Sequence, residues 1–154
     1  MATRQEQKLI SGVEPFLQPG ERALAAIITQ PRGYSQTATS RGLGGQGKLA
    51  GSQSQSRDAD VEIAAPMGLV VTDHRVLTLK ISTAIGMGLG GSVKGVMSAI
   101  PLADVDAIDA RRDKIAKSIV LTVRGTAINL ESNVGAHAEE LARQFVDAKQ
   151  NAGQ

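Results

Sequence analysis

The sequence predicts a mainly β domain: a small antiparallel barrel, or two orthogonal sheets, capped by a C-terminal α-helix and preceded by a short N-terminal helix. Three observations carry this. Two strand-turn-strand patterns, at 67–81 and 118–131, alternate aliphatic residues around short polar turns. Between them, residues 98–109 read as an interrupted strand whose Pro101 belongs at an edge or bulge. After them Val134, Ala138, Leu141, Phe145 and Ala148 recur at spacings of four, three, four and three, the stripe of an amphipathic helix with Ser132 or Asn133 as N-cap.

The elements follow in order. Thr3 and Glu6 have the spacing of a capping box, and Leu9, Val13 and Phe16 or Leu17 fall on one helical side. Pro15 disfavours a helical Glu14 and Pro19-Gly20 forces a turn, so this helix should stop near Val13. RALAAIITQ at 22–30 reads as a strand between those breakers and Pro31. Residues 31–57 are mostly Gly, Ser, Gln and Thr with little to bury, which predicts a mobile insertion. MGLVVT at 67–72 and RVLTLKI at 75–81 form the first hairpin across Asp73-His74, with Leu77, Leu79 and Ile81 on one face. A loop with a short helical portion at 92–99 then precedes Pro101. SIVLTVR at 118–124 and AINLE at 127–131 flank Gly125-Thr126 as the second hairpin. On the last helix, the spacing predicts the pairs Glu139 with Arg143 and Arg143 with Asp147. The domain layout is residues 1–18 as helix and turn, 19–150 as the β domain with its insertion at 31–57, and 151–154 as a disordered tail.

Composition narrows the chemistry. A length of 154 residues suits one core. Aromatics are only 2%, so aliphatic residues fill the interior and a base-stacking nucleic-acid platform is not expected. The net charge of +2 is too small to argue for nucleic acid by itself. Zero cysteines remove disulfides, thiol nucleophiles and cysteine zinc sites. The opening residues 1–6 are polar and mixed in charge, unlike a secretory leader, so a cytoplasmic location is expected.

Two glycine-rich stretches imitate phosphate loops. GLGGQGKL at 42–49 matches both G-x-G-x-x-G and G-x-x-x-x-G-K, but no buried strand precedes it, no amphipathic helix follows, and Leu49 stands where a magnesium-binding hydroxyl is needed. GMGLGG at 86–91 does follow a strand-like run. The segment after it is too short for the crossover helix of a dinucleotide fold. Reading residues 81–100 as a membrane span is opposed by Lys94 and the glycines. No cofactor is expected.

The combination of LQPGE at 17–21, GLVVTDHR at 68–75 and IPLADVD at 100–106, followed by a hairpin and helix, resembles bacterial pleckstrin-homology-like (PH-like) domains. In that family a "TDxR" turn and an "IPLxDI"-like strand occur in this order; Val105 replaces the usual Ile here. The resemblance covers most of residues 17–149. It implies a PH-like barrel, a binding rather than catalytic role and, for some members, ring-forming oligomers.

Catalytic signals are weak: His74 falls in a turn and His137 near the last helix start, and no nucleophile-elbow motif places a serine. Asp104, Asp106 and Asp109 read as a solvated strand face rather than a metal site, and Arg111, Arg112, Lys114 and Lys117 as a solvated basic run. Two functional readings remain. The first is a non-enzymatic PH-like interaction module making protein contacts and homo-oligomers through Met87, Leu89, Val93, Val96 and Met97, an apolar segment best tolerated when another subunit covers it. The second rests on the absence of any acidic residue from Arg22 through Arg57. By resemblance to lipid-binding PH domains, Arg32, Arg41, Lys48 and Arg57 would then hold an anionic lipid or another phosphorylated ligand, placing the protein peripherally at the inner membrane surface.

Overall fold

The computed structural model describes residues 4–31, 57–64, 66–82, 93–112, 117–132 and 136–152. Helix α1 (Arg4–Val13) leads through a 3-10 turn (Glu14–Phe16) into β1 (Ala23–Pro31). There follow β2 (Met67–Thr72), β3 (Arg75–Ile81), β4 (Val93–Pro101), a 3-10 turn (Leu102–Asp104), β5 (Val105–Arg112), β6 (Lys117–Val123), β7 (Thr126–Ser132) and helix α2 (Ala138–Ala152). The strands form one seven-stranded antiparallel sheet in the order β4-β3-β2-β1-β7-β6-β5. This is the mainly β architecture expected, and it is consistent with a PH-like fold.

β1 is the hinge of the sheet. Its residues from Ala23 to Thr29 pair with β2, whereas only Gln30 and Pro31 pair with β7. The sheet therefore folds over on itself, and the stripe Ala138, Leu141, Phe145 and Ala148 of α2 closes the interior with Ile27, Leu69, Leu121, Ile128 and Leu130. Each such aliphatic side chain contributes about 1.5–3 kcal/mol on burial.

A second apolar cluster lies on the opposite face of the same sheet. There α1 sets Leu9 and Val13 on Ala26, Val70, Leu77, Leu79 and Ile81. Leu77, Leu79 and Ile81 do share a face, as their alternation predicts, but that face looks toward α1 instead of the main interior. Two glycines admit the helix. A Cβ on Gly68 would lie 3.2 Å from Leu9, and one on Gly12 only 2.6 Å from Val93 Cγ2.

Several expectations are corrected. Residues 93–101 are strand β4, not a loop with a helical portion. The second hairpin turns at Arg124-Gly125, one residue earlier than predicted; their φ values of 48° and 84° are those of a two-residue turn with both central residues left-handed. Ser132 belongs to β7 and α2 starts at Ala138, so Ser132 is not its N-cap; Asn133 and Val134 lie outside the described residues. Helix α2 also continues through Ala152, past the predicted start of the tail. Phe16 is 40% exposed and lies off the buried stripe of α1.

Candidate interaction edge

The two ends of the sheet are β4 and β5, and the sequence motifs quoted above determine how β4 is held. Glu21 is the centre of the first anchor. Its fully buried carboxylate accepts hydrogen bonds from Gln18 N–H (2.9 Å), the Thr72 hydroxyl (2.6 Å) and Arg75 Nε and Nη2 (2.9 and 3.0 Å). Burial pushes the Glu21 carboxyl up, but the bonds from Arg75, Thr72 and Gln18 and the Arg75 charge outweigh it and hold the group below the usual carboxylate range. Thr72 Oγ1 also accepts from the backbone N–H groups of His74 and Arg75, which tightens the β2–β3 turn. Asp73 completes it. Its Oδ1 accepts from Arg22 N–H (2.9 Å) and lies 2.8 Å from His74 Nδ1. Burial raises Asp73 as well, and the Arg22 and His74 contacts more than offset this, leaving its pKa lowered.

The second anchor is the corner after β4. Pro101 ends the strand opposite Arg75, and Leu102 N–H then donates to His74 C=O. Asp104 C=O accepts from Arg124 N–H, its carboxylate meets the Arg124 guanidinium at 3.2 Å, and Asp106 Oδ2 accepts from Gly125 N–H at 2.7 Å. Asp106 and Asp109 are exposed, as expected of a solvated strand face, and from it Asp104 and Asp106 also hold the second hairpin turn. Among the described residues no group of three or more metal-ligating side chains occurs.

From these two anchors, both at its Pro101 end, β4 runs for nine residues against β3. Register shifts opposite Thr78/Leu79 and Lys80/Ile81 leave Met97 and Lys94 as bulged residues. Among the described strands β4 pairs with β3 alone, and the Ser98 hydroxyl on it accepts from Glu62 N–H (2.8 Å). Val93 and Val96 pack partly against α1 and Met97 partly against the main interior, so these three predicted contact residues are brought together on the edge strand but are not fully exposed. Met87 and Leu89 lie outside the described residues. So do Arg32, Arg41 and Lys48; Arg57 is exposed at the start of a helical turn.

Sequence reasoning missed two charged contacts. Lys117 is buried, not part of a solvated run, and donates to Ala136 C=O and Glu139 Oε2, each at 2.7 Å. Glu139 thus pairs with Lys117 instead of Arg143, the hydrogen bond from Lys117 lowers its pKa, and Arg143 pairs with Glu140. Glu6 is the other. Its buried carboxylate accepts from His137 N–H (3.1 Å) and sits 2.8 Å from His137 Nδ1, tying α1 to the start of α2. The position of Lys117 two residues before Ile119, in step with Leu121 and Val123, was a visible clue to its burial; nothing local connects residues 6 and 137.

Compared with known proteins, the chain matches no family model and no curated protein sequence. No helix among the described residues is long and apolar enough to cross a membrane.

Proposed function

We propose that this chain is a non-enzymatic interaction module of the PH-like kind, which self-assembles by pairing the β4 edge of one copy with the β4 edge of another. The observation that carries the reading is the edge itself: a nine-residue strand, anchored at its end by Pro101 and the Glu21–Arg75 node, whose outer side no described strand occupies. An edge of this kind presents unpaired N–H and C=O groups that a second extended strand satisfies. An isologous antiparallel pair does so under two-fold symmetry and extends one sheet across two chains. Lys94 and Pro101 confine the usable edge to residues 95–99. The half-buried Val96 and Met97 lie within that stretch, so pairing also buries apolar surface.

Size-exclusion chromatography with light scattering tests this. The wild-type mass is expected to rise with concentration. Ala99→Lys, a charge added at an exposed edge position, should hold the protein monomeric at every concentration. A wild-type chain that stays monomeric across the series sinks the reading.

A further inference from the structure

The backbone groups on the side of β4 that faces away from β3 can be assigned residue by residue. Arg75 and Pro101 lie opposite each other, and Leu102 N–H donates to His74 C=O at 3.3 Å, one residue outside that pair. Bonds that flank a pair in this way mark it as one whose own N–H and C=O groups turn outward, since bonded and non-bonded pairs alternate along an antiparallel ladder. Counting along β3 from Arg75, Val76, Thr78 and Lys80 exchange bonds with Ile100, Ser98 and Gly95. Ala99 and Val96, opposite Leu77 and Leu79, therefore turn their backbone groups away from β3. The bulges at Lys94 and Met97 do not disturb the count, because it runs along β3, whose own residues oppose β2 without a register shift. Among the described residues no further strand and no turn or loop backbone bonds to Val96 or Ala99.

We infer that two copies pair with Ser98 at the two-fold axis, so that Val96 of each exchanges bonds with Ala99 of the other. This rests on the self-assembly proposed above and fixes its register. Two reciprocal pairs, each of two bonds, form in this arrangement, whereas an axis at Val96 or at Ala99 gives one such pair within residues 95–99. The side chains agree with it. On the face that α1 covers, the half-buried Val96 meets the exposed Ala99 of the second copy. On the other face the Ser98 hydroxyl accepts from Glu62 N–H at 2.8 Å, and its O–H is left to donate to the Ser98 oxygen of the second copy. Gly95 comes opposite Ile100 of the second copy; a Cβ there would meet nothing within 4 Å, so the position is open to an approaching strand.

The chain has no cysteine, so single-cysteine variants of the full chain report the register. Residues facing each other at the axis lie about 4.5 Å apart between Cα atoms, inside the disulfide range, and diagonal neighbours about 7–8 Å apart, outside it. At a concentration where light scattering gives a dimer, copper-catalysed air oxidation should cross-link Ser98→Cys with itself. Val96→Cys and Ala99→Cys should each stay uncross-linked alone and join when the two are mixed. The mixture keeps Ser98 and its bond from Glu62, so it tests the register even where Ser98→Cys disturbs the strand. Cross-linking of Val96→Cys or Ala99→Cys alone, or no link in the mixture while the dimer persists, overturns the register and leaves self-assembly standing. A wild-type chain that stays monomeric overturns both.

Discussion

Replacing Arg75 by Met asks what the Glu21 node contributes. The change deletes two of the four hydrogen bonds that Glu21 accepts, at 2.9 and 3.0 Å, and a third from Nη2 to Phe16 C=O at 3.2 Å. Glu21 then keeps Thr72 and Gln18 N–H, but its fully buried carboxylate has no cation. Breaking a buried ion pair from one side costs about 3–5 kcal/mol. Arg75 itself is 19% exposed, so the lower end applies, about 3 kcal/mol. For a chain of this length that is a fall in Tm of roughly 10 °C. The chain has no tryptophan, so urea unfolding followed by far-UV circular dichroism is the suitable assay. Glu21→Gln/Arg75→Met removes the stranded charge while keeping one acceptor oxygen, for Gln18 N–H, with the Thr72 hydroxyl still able to donate to Arg75 C=O, and should recover about half of the loss. A loss below about 1 kcal/mol for Arg75→Met, or a double variant worse than the sum of its parts, refutes the reasoning.

The same node predicts a pH dependence. Glu21 and Asp73 have lowered pKa values in the fold, so their contribution is complete above the ordinary carboxylate range and is lost as pH falls through their folded values; Arg75→Met should flatten that acid limb in a pH series of urea midpoints. Gly12→Ala places a methyl against Val93 and should loosen α1, seen as faster amide exchange at Leu9 and Val13, with Val93→Ala restoring protection; unchanged exchange in Gly12→Ala would show that the close approach is unimportant. Gly125→Ala, at φ 84°, should cost about 1–2 kcal/mol in the same unfolding assay, and a neutral effect would remove the left-handed turn from the account. Thr78 is fully buried and its hydroxyl has no partner among the described residues, so Thr78→Val should stabilise the protein by about 1 kcal/mol; destabilisation would mean the hydroxyl is satisfied.

Where alternation or helical spacing was local and uninterrupted, the sequence was legible. The β2–β3 and β6–β7 hairpins and the stripe of α2 are readable because each has one strongly apolar face. β4 was not, because Gly95 and the bulges at Lys94 and Met97 break its period of two. The covering of the outer sheet face by α1 was also hidden. All six residues of β2 are buried, so it shows no polar side to mark where a second layer sits. The start of α2 was misplaced since its anchor, Glu6, comes from the other end of the chain rather than from a local cap such as Ser132. For the proposed interaction edge, Val93, Val96 and Met97 were identified from apolarity alone. Their shared strand became visible only once the β3 register was known.

The corner from Pro101 to Asp106 is stitched in both directions, to His74 in one turn and to Arg124 and Gly125 in another. Opening the backbone there, or grafting extra residues into it, would unfasten two distant bends at once, whereas the same surgery at a connection fastened to nothing would leave them alone. The three-residue connection from β4 to β5 is therefore a poor place for such changes, and efforts to relocate the termini or host a guest peptide should look elsewhere.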